Sequence, residues 1–362
     1  MPGRWITQRD IAEKIGVHVT TVSLALRNHP SISAATRGKI QELARNLGYS
    51  PNPALSSLIA YRRAVKPIRS ESVIGFLTPY ESERAFRQCL CDVEFFSGAQ
   101  KRAQELGYKL DCFWLRQPGL TARRWNTILQ TRNLAGLIVG PLPTGRGHLR
   151  LDWGRFSAVK IDPNIFWPPL HCITNNQLEA MRLAMRTAFH HGYRRIGVAM
   201  RHSHNERVNR YWSASYLDEQ SRQPKCIPIP MCLPRDWGEK VFLDWVSACQ
   251  PDVVLSTHVK VQGWLTKAGY RVPEDIGFID LDCFDHSGIR AGINQQHRQV
   301  GSTAVDTLIS LIHNNEKGLP ETPRTILLGN CWVEGKTIRV ANGGMESVNG
   351  DSKPSARMKL HS

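Results

Sequence analysis

Residues 7–26 read TQRDIAEKIGVHVTTVSLAL and decide how the first part of the chain folds. Thr7 can cap a helix, because the acidic Asp10 lies three residues later and apolar residues follow at helical spacing until Gly16. A second short helix is predicted from Thr20 to Leu26. Two short helices joined through a glycine turn are typical of a helix-turn-helix module.

A third helix is predicted to begin near Ser33 and to end before Gly48. Its apolar stripe consists of Ile40, Leu43, Ala44 and Leu47. A module of about fifty residues has a small core, so its helices depend on packing against one another. Prolines at 51 and 53 then interrupt the chain, and a linker is expected up to about residue 71.

Positive charge is concentrated at this end of the chain. The 362 residues carry a formal charge of +16, and eleven Lys and Arg face three acidic residues within residues 1–69, which gives that segment +8. Basic surface gains affinity for nucleic acid by releasing counterions from phosphate. The charge therefore favours a polyanionic partner, the alternative being a basic soluble protein without one.

The nine cysteines are expected to be free thiols in a reducing compartment, because their number is odd and no export signal precedes them. No C-x-x-C pair occurs, and the spacing of Cys89 and Cys91 does not suit most zinc knuckles. We therefore expect neither a metal nor a cofactor. The sequence has no apolar run of about 18 residues, which predicts no membrane partner and a cytoplasmic protein.

From about Ser72 the pattern changes to buried strands that alternate with helices over about 270 residues. This alternation predicts parallel sheets flanked by helices, with ligands bound at the carboxyl ends of strands. Residues after about Val340 are polar and are predicted to be disordered.

Motifs spread along the chain resemble those of the LacI/GalR family of bacterial transcription regulators. The first group is ITQRDIA at 6–12, GV at 16–17, TTVS at 20–23, PSIS at 30–33, TR at 36–37 and LGYSPN at 47–52. The second is GYRRIG at 192–197 and GYRVPEDI at 269–276. The resemblance extends to about residue 340.

The resemblance implies several domains: a small all-α helix-turn-helix head at 4–51, a hinge at 52–71, and an α/β core at 72–340 with two lobes like those of periplasmic binding proteins. Lobe one would span about 72–173 and 302–330, lobe two about 174–298, and residues 341–362 a disordered tail. Proteins of this family act as homodimers or larger oligomers on near-palindromic operator DNA. A small effector would bind between the lobes.

Residues that match the family's base-reading positions are Val19, Thr20 and Leu24. Val19 and Leu24 are apolar and would contact thymine methyl groups, unless either packs internally. In the hinge, Leu58 matches the leucine that wedges into a minor-groove step, the alternative being an ordinary helix–helix contact. Phosphate contacts or helix capping are expected at Thr7, Thr21, Ser23, Asn28 and Thr36.

Effector contacts are implied in the cleft between the lobes, where polar groups orient a ligand and an aromatic ring covers an apolar sugar face. Arg207, Asp282 and Gln295 match the family's polar contacts, and Trp237 matches its aromatic platform. Further candidates near strand ends in lobe one are Tyr80, Asp162 and Trp167.

Two departures from the family bear on the effector. Thr257 and His258 stand where an Asn-Asp pair usually bonds ligand hydroxyls, and Arg210 stands where a glycine is common. His258 is therefore a candidate contact in place of the usual carboxylate. The effector would then be unusual, bind weakly or be absent.

The resemblance implies a repressor that responds to a small effector, most simply a carbohydrate. Alternatives are a nucleobase, a phosphorylated metabolite or no ligand. An enzyme is disfavoured because the chain lacks the P-loop, H-E-x-x-H and G-x-S-x-G motifs. An exported ligand-binding protein would share the core but would carry an export signal in place of the basic head.

Overall fold

The computed structural model describes residues 6–49, 72–142, 147–163, 165–284 and 287–340. The predicted hinge at 52–71, with Leu58, and the tail at 341–362 lie outside these ranges. The head contains three helices: α1 (Gln8–Ile15), α2 (Val19–Leu26) and α3 (Ala34–Asn46).

Local signals set both ends of α1 as the sequence predicts. The Thr7 hydroxyl accepts from the backbone N–H of Asp10, and the Asp10 carboxylate accepts from that of Thr7 at 2.7 Å, which forms a complete capping box. Helix α1 ends where Gly16 adopts φ 71°, a conformation that favours glycine. The two helices that follow pack on it around a small core of Ile11, Val22, Ala25, Ile40 and Ala44.

The core alternates strands and helices. Its strands are β1 (Ser72–Thr78), β2 (Tyr108–Trp114), β3 (Gly136–Val139), β4 (Gly147–His148), β5 (Ser157–Ile161), β6 (Ile165–Trp167), β7 (His171–Asn175), β8 (Ile196–Val198), β9 (Val253–Ser256), β10 (Gly277–Asp280), β11 (Ala291–Asn294), β12 (Thr325–Leu328) and β13 (Cys331–Val333). Its helices are α4 (Glu83–Gln88), α5 (Leu90–Glu105), α6 (Ala122–Thr131), α7 (Gln177–His190), α8 (His202–Arg207), α9 (Tyr211–Arg222), α10 (Glu239–Cys249), α11 (Lys260–Lys267) and α12 (His297–His313).

Two separate sheets define two lobes, which confirms the predicted architecture. The first lobe has a parallel sheet in the order β12-β7-β5-β3-β1-β2, and the second has the order β13-β11-β10-β9-β8. In the first sheet Ile74 of β1 lies opposite Leu110 of β2 on one side and Gly136 of β3 on the other. Strands β3, β5 and β7 are buried along their whole length, as expected when helices cover both faces of a parallel sheet.

The chain passes between the lobes three times, after β7, after β11 and after β12. The lobe limits expected from the sequence left residues 331–340 outside both lobes, whereas the third crossing brings the chain back to the second lobe. Strand β13 pairs antiparallel with β11 of the second sheet, where Trp332 lies opposite Ile293. Helix α12 belongs to the first lobe, because Val300 and Ala304 are buried in its core.

The apolar spacing of residues 205–220 predicts one continuous helix, but the structure interrupts it. Helix α8 ends at Arg207, and α9 starts at Tyr211, because Asn209 (φ 56°) and Arg210 (φ 62°) both adopt left-handed backbone conformations. The left-handed Arg210 is the position where a glycine is common in the family, and its guanidinium pairs with Glu206 at 2.6 Å. The break places the end of α8, and with it Arg207, at the cleft.

Among the residues described, no helix combines the length and the apolar composition that crossing a bilayer requires.

Candidate functional site

Helix α2 presents the side chains predicted to read DNA bases. Val19 (37% exposed) and Thr20 lie on its outer face, and Leu24 is partly exposed. The opposite face carries Val22 and Ala25, which are buried in the head. The outer face therefore offers two apolar groups and one hydroxyl to a partner.

His18 caps this helix, a role that the sequence analysis missed. Its Nδ1 accepts from the backbone N–H of Thr20 at 3.3 Å and lies 3.0 Å from the Thr20 hydroxyl. This fixes the start of α2 and engages the Thr20 hydroxyl within the protein. A histidine is uncommon as a cap, so neither composition nor spacing indicated it.

Thr7 and Thr36 lie at the starts of α1 and α3. The Thr7 hydroxyl donates to Asp10 Oδ2 at 2.7 Å, and the Thr36 hydroxyl lies 2.8 Å from that of Ser33, the residue that caps α3. Both residues thus contribute to helix ends, where free backbone N–H groups attract anions.

Ser23 and Asn28 accept hydrogen bonds from within the head. The Arg27 guanidinium donates to Ser23 Oγ at 2.7 Å, and Gln41 Nε2 donates to Asn28 Oδ1 at 2.8 Å. The backbone of Asn28 is left-handed, with φ 57°, and ends the turn after α2. Thr21 is half-buried. The two hydrogen bonds thus hold the side chains of Ser23 and Asn28 in place beside the outer face of α2.

In the core, predicted effector residues lie just after the carboxyl ends of parallel strands in both sheets. Tyr80 follows β1 and Asp162 follows β5 in the first lobe, while His258 follows β9 and Asp282 follows β10 in the second. Ligands of α/β proteins bind at this edge of the sheet.

Arg207 joins the lobes electrostatically. Its guanidinium, at the end of α8 in the second lobe, lies 3.4 Å from Asp92 Oδ1 and 3.5 Å from Asp162 Oδ2, both in the first lobe. Tyr80 donates to the other oxygen of Asp92, and Thr174 donates to Asp162 at 3.0 Å. Predicted residues Tyr80, Asp162 and Arg207 therefore meet around Asp92, a fully buried carboxylate absent from the prediction.

A second group lies beside this network and includes two further residues absent from the prediction. Cys91 donates to Asp282 Oδ2 at 3.0 Å, and His297 Nε2 lies 3.4 Å from Asp282 Oδ1. The His297 ring is held between aromatic side chains, with its centroid 4.9 Å from that of Phe95 and 5.1 Å from that of Phe284. A thiol, a carboxylate and an imidazole thus converge where the lobes meet.

Burial changes the proton affinity of these groups. Desolvation raises the pKa of Asp92 and that of Asp282 to about 7, and it lowers the pKa of His297 to about 4. The hydrogen bond between the Cys89 and Cys91 thiols lowers the pKa of Cys89 to about 5 and raises the pKa of Cys91. At neutral pH His297 is therefore neutral, and the two carboxyl groups are close to half-ionised.

Trp237 and His258 belong to an aromatic cluster in the second lobe. His258 stacks on Trp264 with centroids 5.3 Å apart, and Trp237 lies 5.8 Å from His258. Helix α8 links this cluster to the cleft, because His204 Nδ1 lies 2.9 Å from the Thr257 hydroxyl and Arg207 follows one turn later. The indole N–H of Trp237 is buried and has no hydrogen-bond acceptor within the described part of the chain.

Gln295 and Trp167 are placed differently from the other candidates. The buried Gln295 amide donates to Leu281 O at 2.6 Å and accepts from Gln177 at 2.9 Å, so half of its hydrogen-bonding capacity is already used within the protein. Trp167 is 45% exposed on the short strand β6.

Comparisons with known proteins find similar sequences both for the head and for most of the chain. The sequence model of the lacI family of bacterial regulatory proteins matches residues 7–52. The transcriptional repressor CytR of Escherichia coli K12 is 26% identical over 300 residues, which cover 77% of this chain and 80% of that protein.

Solved structures match almost the whole chain. The Lac repressor dimer bound to operator and the anti-inducer ONPF is 21% identical, with a TM-score of 0.54, and covers 93% of this chain and 100% of that one. The complex of the regulator CelR with cellobiose is 16% identical, with a TM-score of 0.59, over 92% and 99% of the two chains. At these identities the structural likeness establishes the fold.

Proposed function

We infer that this chain is a DNA-binding transcriptional regulator of the LacI family. We propose that it is an operator-binding repressor whose affinity for DNA is set by a neutral carbohydrate bound between its two lobes. The interlobe ion pairs of Arg207 are the observation that carries the regulatory part of this proposal.

Operator reading is assigned to the outer face of α2. Val19 and Leu24 would contact thymine methyl groups in the major groove, with Thr20 beside them. The surrounding residues Thr7, Thr21, Ser23, Asn28 and Thr36 would contact phosphates, and Leu58 of the hinge would wedge into the minor groove. Two heads of a homodimer would then occupy successive major grooves of a near-palindromic site.

Arg207 gives a ligand a way to act on the lobes. It pairs with first-lobe carboxylates although it belongs to the second lobe, so its contacts depend on how the lobes are arranged. A ligand changes a conformational equilibrium only through a difference in its interactions with the two states. A sugar whose hydroxyls bond Asp92, Asp162 or Arg207 would have such a difference.

The charge of the cleft favours a neutral effector over a phosphorylated one. Asp92, Asp162 and Asp282 surround one guanidinium, so a phosphate group would approach more negative than positive charge. Trp237 and His258 supply ring faces for an apolar sugar surface. The CelR complex with cellobiose also supports a carbohydrate.

Selection of binding sites from random DNA tests the proposal. We expect a near-palindromic sequence to be enriched, and its affinity for the protein to change when neutral sugars are added. Failure to enrich any such site would contradict operator binding. A site whose affinity responds to nucleosides or phosphorylated sugars, and to no neutral sugar, would contradict only the carbohydrate.

A pair of tryptophan variants tests the cleft. Trp237→Leu should weaken the response to the active sugar, because it removes the ring beside His258. Trp245→Leu is the matched control, since Trp245 belongs to the same cluster but donates its indole N–H to Pro230 O. An equal loss of response in both variants would show that Trp237 acts through the cluster and not on the ligand.

A further inference from the structure

Cys91, Asp282 and His297 come from three distant parts of the chain and meet at one point. Cys91 lies in the first turn of α5 in the first lobe, Asp282 follows β10 in the second lobe, and His297 is the first residue of α12. One ligating atom from each residue lies within 4.8 Å of the others, counting Sγ, a carboxylate oxygen and a ring nitrogen.

The separations are close to those around a tetrahedral metal ion. Metal–ligand distances of about 2.0 Å for oxygen and nitrogen and 2.3 Å for sulfur place ligand atoms about 3.3–3.6 Å apart. Cys91 Sγ lies 3.0 Å from Asp282 Oδ2, and His297 Nε2 lies 3.4 Å from Asp282 Oδ1. These two separations involve different oxygens of Asp282, and the three ligating atoms lie within 4.8 Å of one another. Side-chain shifts of about 1 Å or less would therefore bring the three groups onto one ion.

Among the residues described, Asp282 forms no direct ion pair with Arg207, in contrast to Asp92 and Asp162. Arg207 pairs with Asp92 and Asp162, whereas the neighbours of Asp282 in this group are a thiol and an imidazole. Asp282 Oδ1 is buried and accepts no hydrogen bond from the residues described. Burying a carboxylate with an oxygen left unpaired is costly, and a cation at this point would remove the cost.

We propose that Cys91, Asp282 and His297 bind a Zn²⁺ ion that joins the two lobes. A thiolate, an imidazole and a carboxylate form a donor set that suits Zn²⁺ and that Mg²⁺ or Ca²⁺ would not select. His297 is fixed between Phe95 and Phe284, so its nitrogen is already oriented. Binding displaces the thiol proton of Cys91 to solvent.

The ion would make this regulator sensitive to metal as well as to its effector. Because Cys91 and Asp282 belong to different lobes, Zn²⁺ binds the arrangement that holds them together and stabilises it over any other. The metal site stands independently of the effector, whereas its consequence for DNA binding rests on the proposed function.

Titration of the reduced full-length protein with Co²⁺ alone tests the site. We expect about one equivalent to give the visible bands of tetrahedral Co²⁺ and a thiolate-to-cobalt charge-transfer band, both removed by Zn²⁺. Cys91→Ser should lose the charge-transfer band and bind Zn²⁺ at least about tenfold more weakly. Cys112→Ser is the matched control, because Cys112 is an exposed thiol on β2, and it should retain both.

Two results would overturn the site: a wild-type protein that gives no charge-transfer band, or a Cys91→Ser protein that keeps it unchanged. Alkylation of the wild-type protein gives a test that needs no variant of the cluster. Zn²⁺ should protect Cys91 from iodoacetamide and leave Cys112 reactive, as read by peptide mass spectrometry. Equal reaction of Cys91 with and without Zn²⁺ would contradict the proposal.

Operator binding separates this proposal from the proposed function. Zn²⁺ should change the affinity of the wild-type protein for its selected operator by about tenfold and leave that of Cys91→Ser unchanged. An unchanged wild-type affinity in the presence of bound metal would refute the regulatory consequence. Failure to select any operator would count against the proposed function, and the Co²⁺ spectrum would still decide the metal site.

Discussion

Replacing Arg207 by methionine should destabilise the core, because it removes the cation that Asp92 and Asp162 share. Methionine keeps much of the volume and none of the charge. Removing one partner of a buried ion pair costs about 3–5 kcal/mol. The Arg207 side chain is 21% exposed while Asp92 is fully buried, so we expect a loss near the lower end, about 3 kcal/mol at pH 8.

Urea unfolding followed by tryptophan fluorescence measures this loss. Arg222→Met is the matched control, because Arg222 pairs with Asp218 at 2.9 Å where the two side chains are 66% and 40% exposed. Such a surface pair contributes about 0.5 kcal/mol or less. Equal losses for the Arg207 and Arg222 variants at pH 8 would refute the buried network.

The same variant should respond to pH and to a second substitution. The pKa of Asp92 is raised to about 7 by burial, so at pH 6 this carboxyl group is largely protonated and Arg207→Met should cost less than at pH 8. Adding Asp92→Asn to Arg207→Met should recover part of the stability at pH 8, because it removes one of the two uncompensated charges. A double variant less stable than Arg207→Met would contradict this assignment.

Three further predictions concern packing, titration and DNA. Gly98→Ala places a Cβ against the backbone carbonyl of Arg298 where α5 crosses α12, so we expect the free energy of unfolding in urea to fall by about 1–3 kcal/mol. The control is Gly263→Ala on α11, where the added Cβ meets open space, and it should leave this free energy unchanged or raise it by up to about 1 kcal/mol. Because the raised pKa of Asp92 makes the folded state bind more protons than the unfolded state between about pH 4 and 7, the contribution of this group to stability increases as pH falls through this window. In thermal melts the stability of the wild type relative to Asp92→Asn should therefore increase as pH falls from about 7 to about 4, and a difference that does not change with pH would contradict the raised pKa. In filter binding, Leu58→Ala should weaken operator binding more than binding to random DNA, and equal weakening would show that Leu58 is not a wedge.

Features set by neighbouring residues could be predicted from the sequence. The capping box at Thr7 and the glycine that ends α1 depend on contacts within one or two turns. The burial of Val22 follows from its place on the apolar face of α2. The placement of Tyr80 and Asp282 at the cleft follows from their positions after buried strands, since the carboxyl ends of parallel strands share one edge.

The cluster at Asp282 could not be predicted in this way. Cys91 and Asp282 are 191 residues apart, and no spacing rule relates them. The sequence analysis considered Cys89 and Cys91 only as a local metal motif and rejected it, because their spacing does not suit most zinc knuckles. Their partners come from other elements, and only the three-dimensional arrangement of the lobes identifies them.

The break between α8 and α9 was missed for a different reason. Residues 205–220 contain neither glycine nor proline, and their apolar spacing favours one continuous helix. Two consecutive non-glycine residues in the left-handed region are unfavourable, so side-chain hydrogen bonds must hold them. The Arg210–Glu206 pair and the bonds between Ser213 and Asn205 supply such contacts.

Strand β1 connects the cleft to the part of the chain that leads to DNA. Its seven residues span about 23 Å, with Ser72 next to the predicted hinge at one end and Tyr80 just beyond the other. Tyr80 bonds Asp92, and Asp92 pairs with Arg207 of the other lobe. A ligand that competes for Arg207 therefore acts on the Tyr80–Asp92 pair. This pair lies near the end of β1 that is farther from the hinge. Its effect on the operator depends on how differently it contacts Arg207 in the two lobe arrangements, and tight binding without that difference would change nothing.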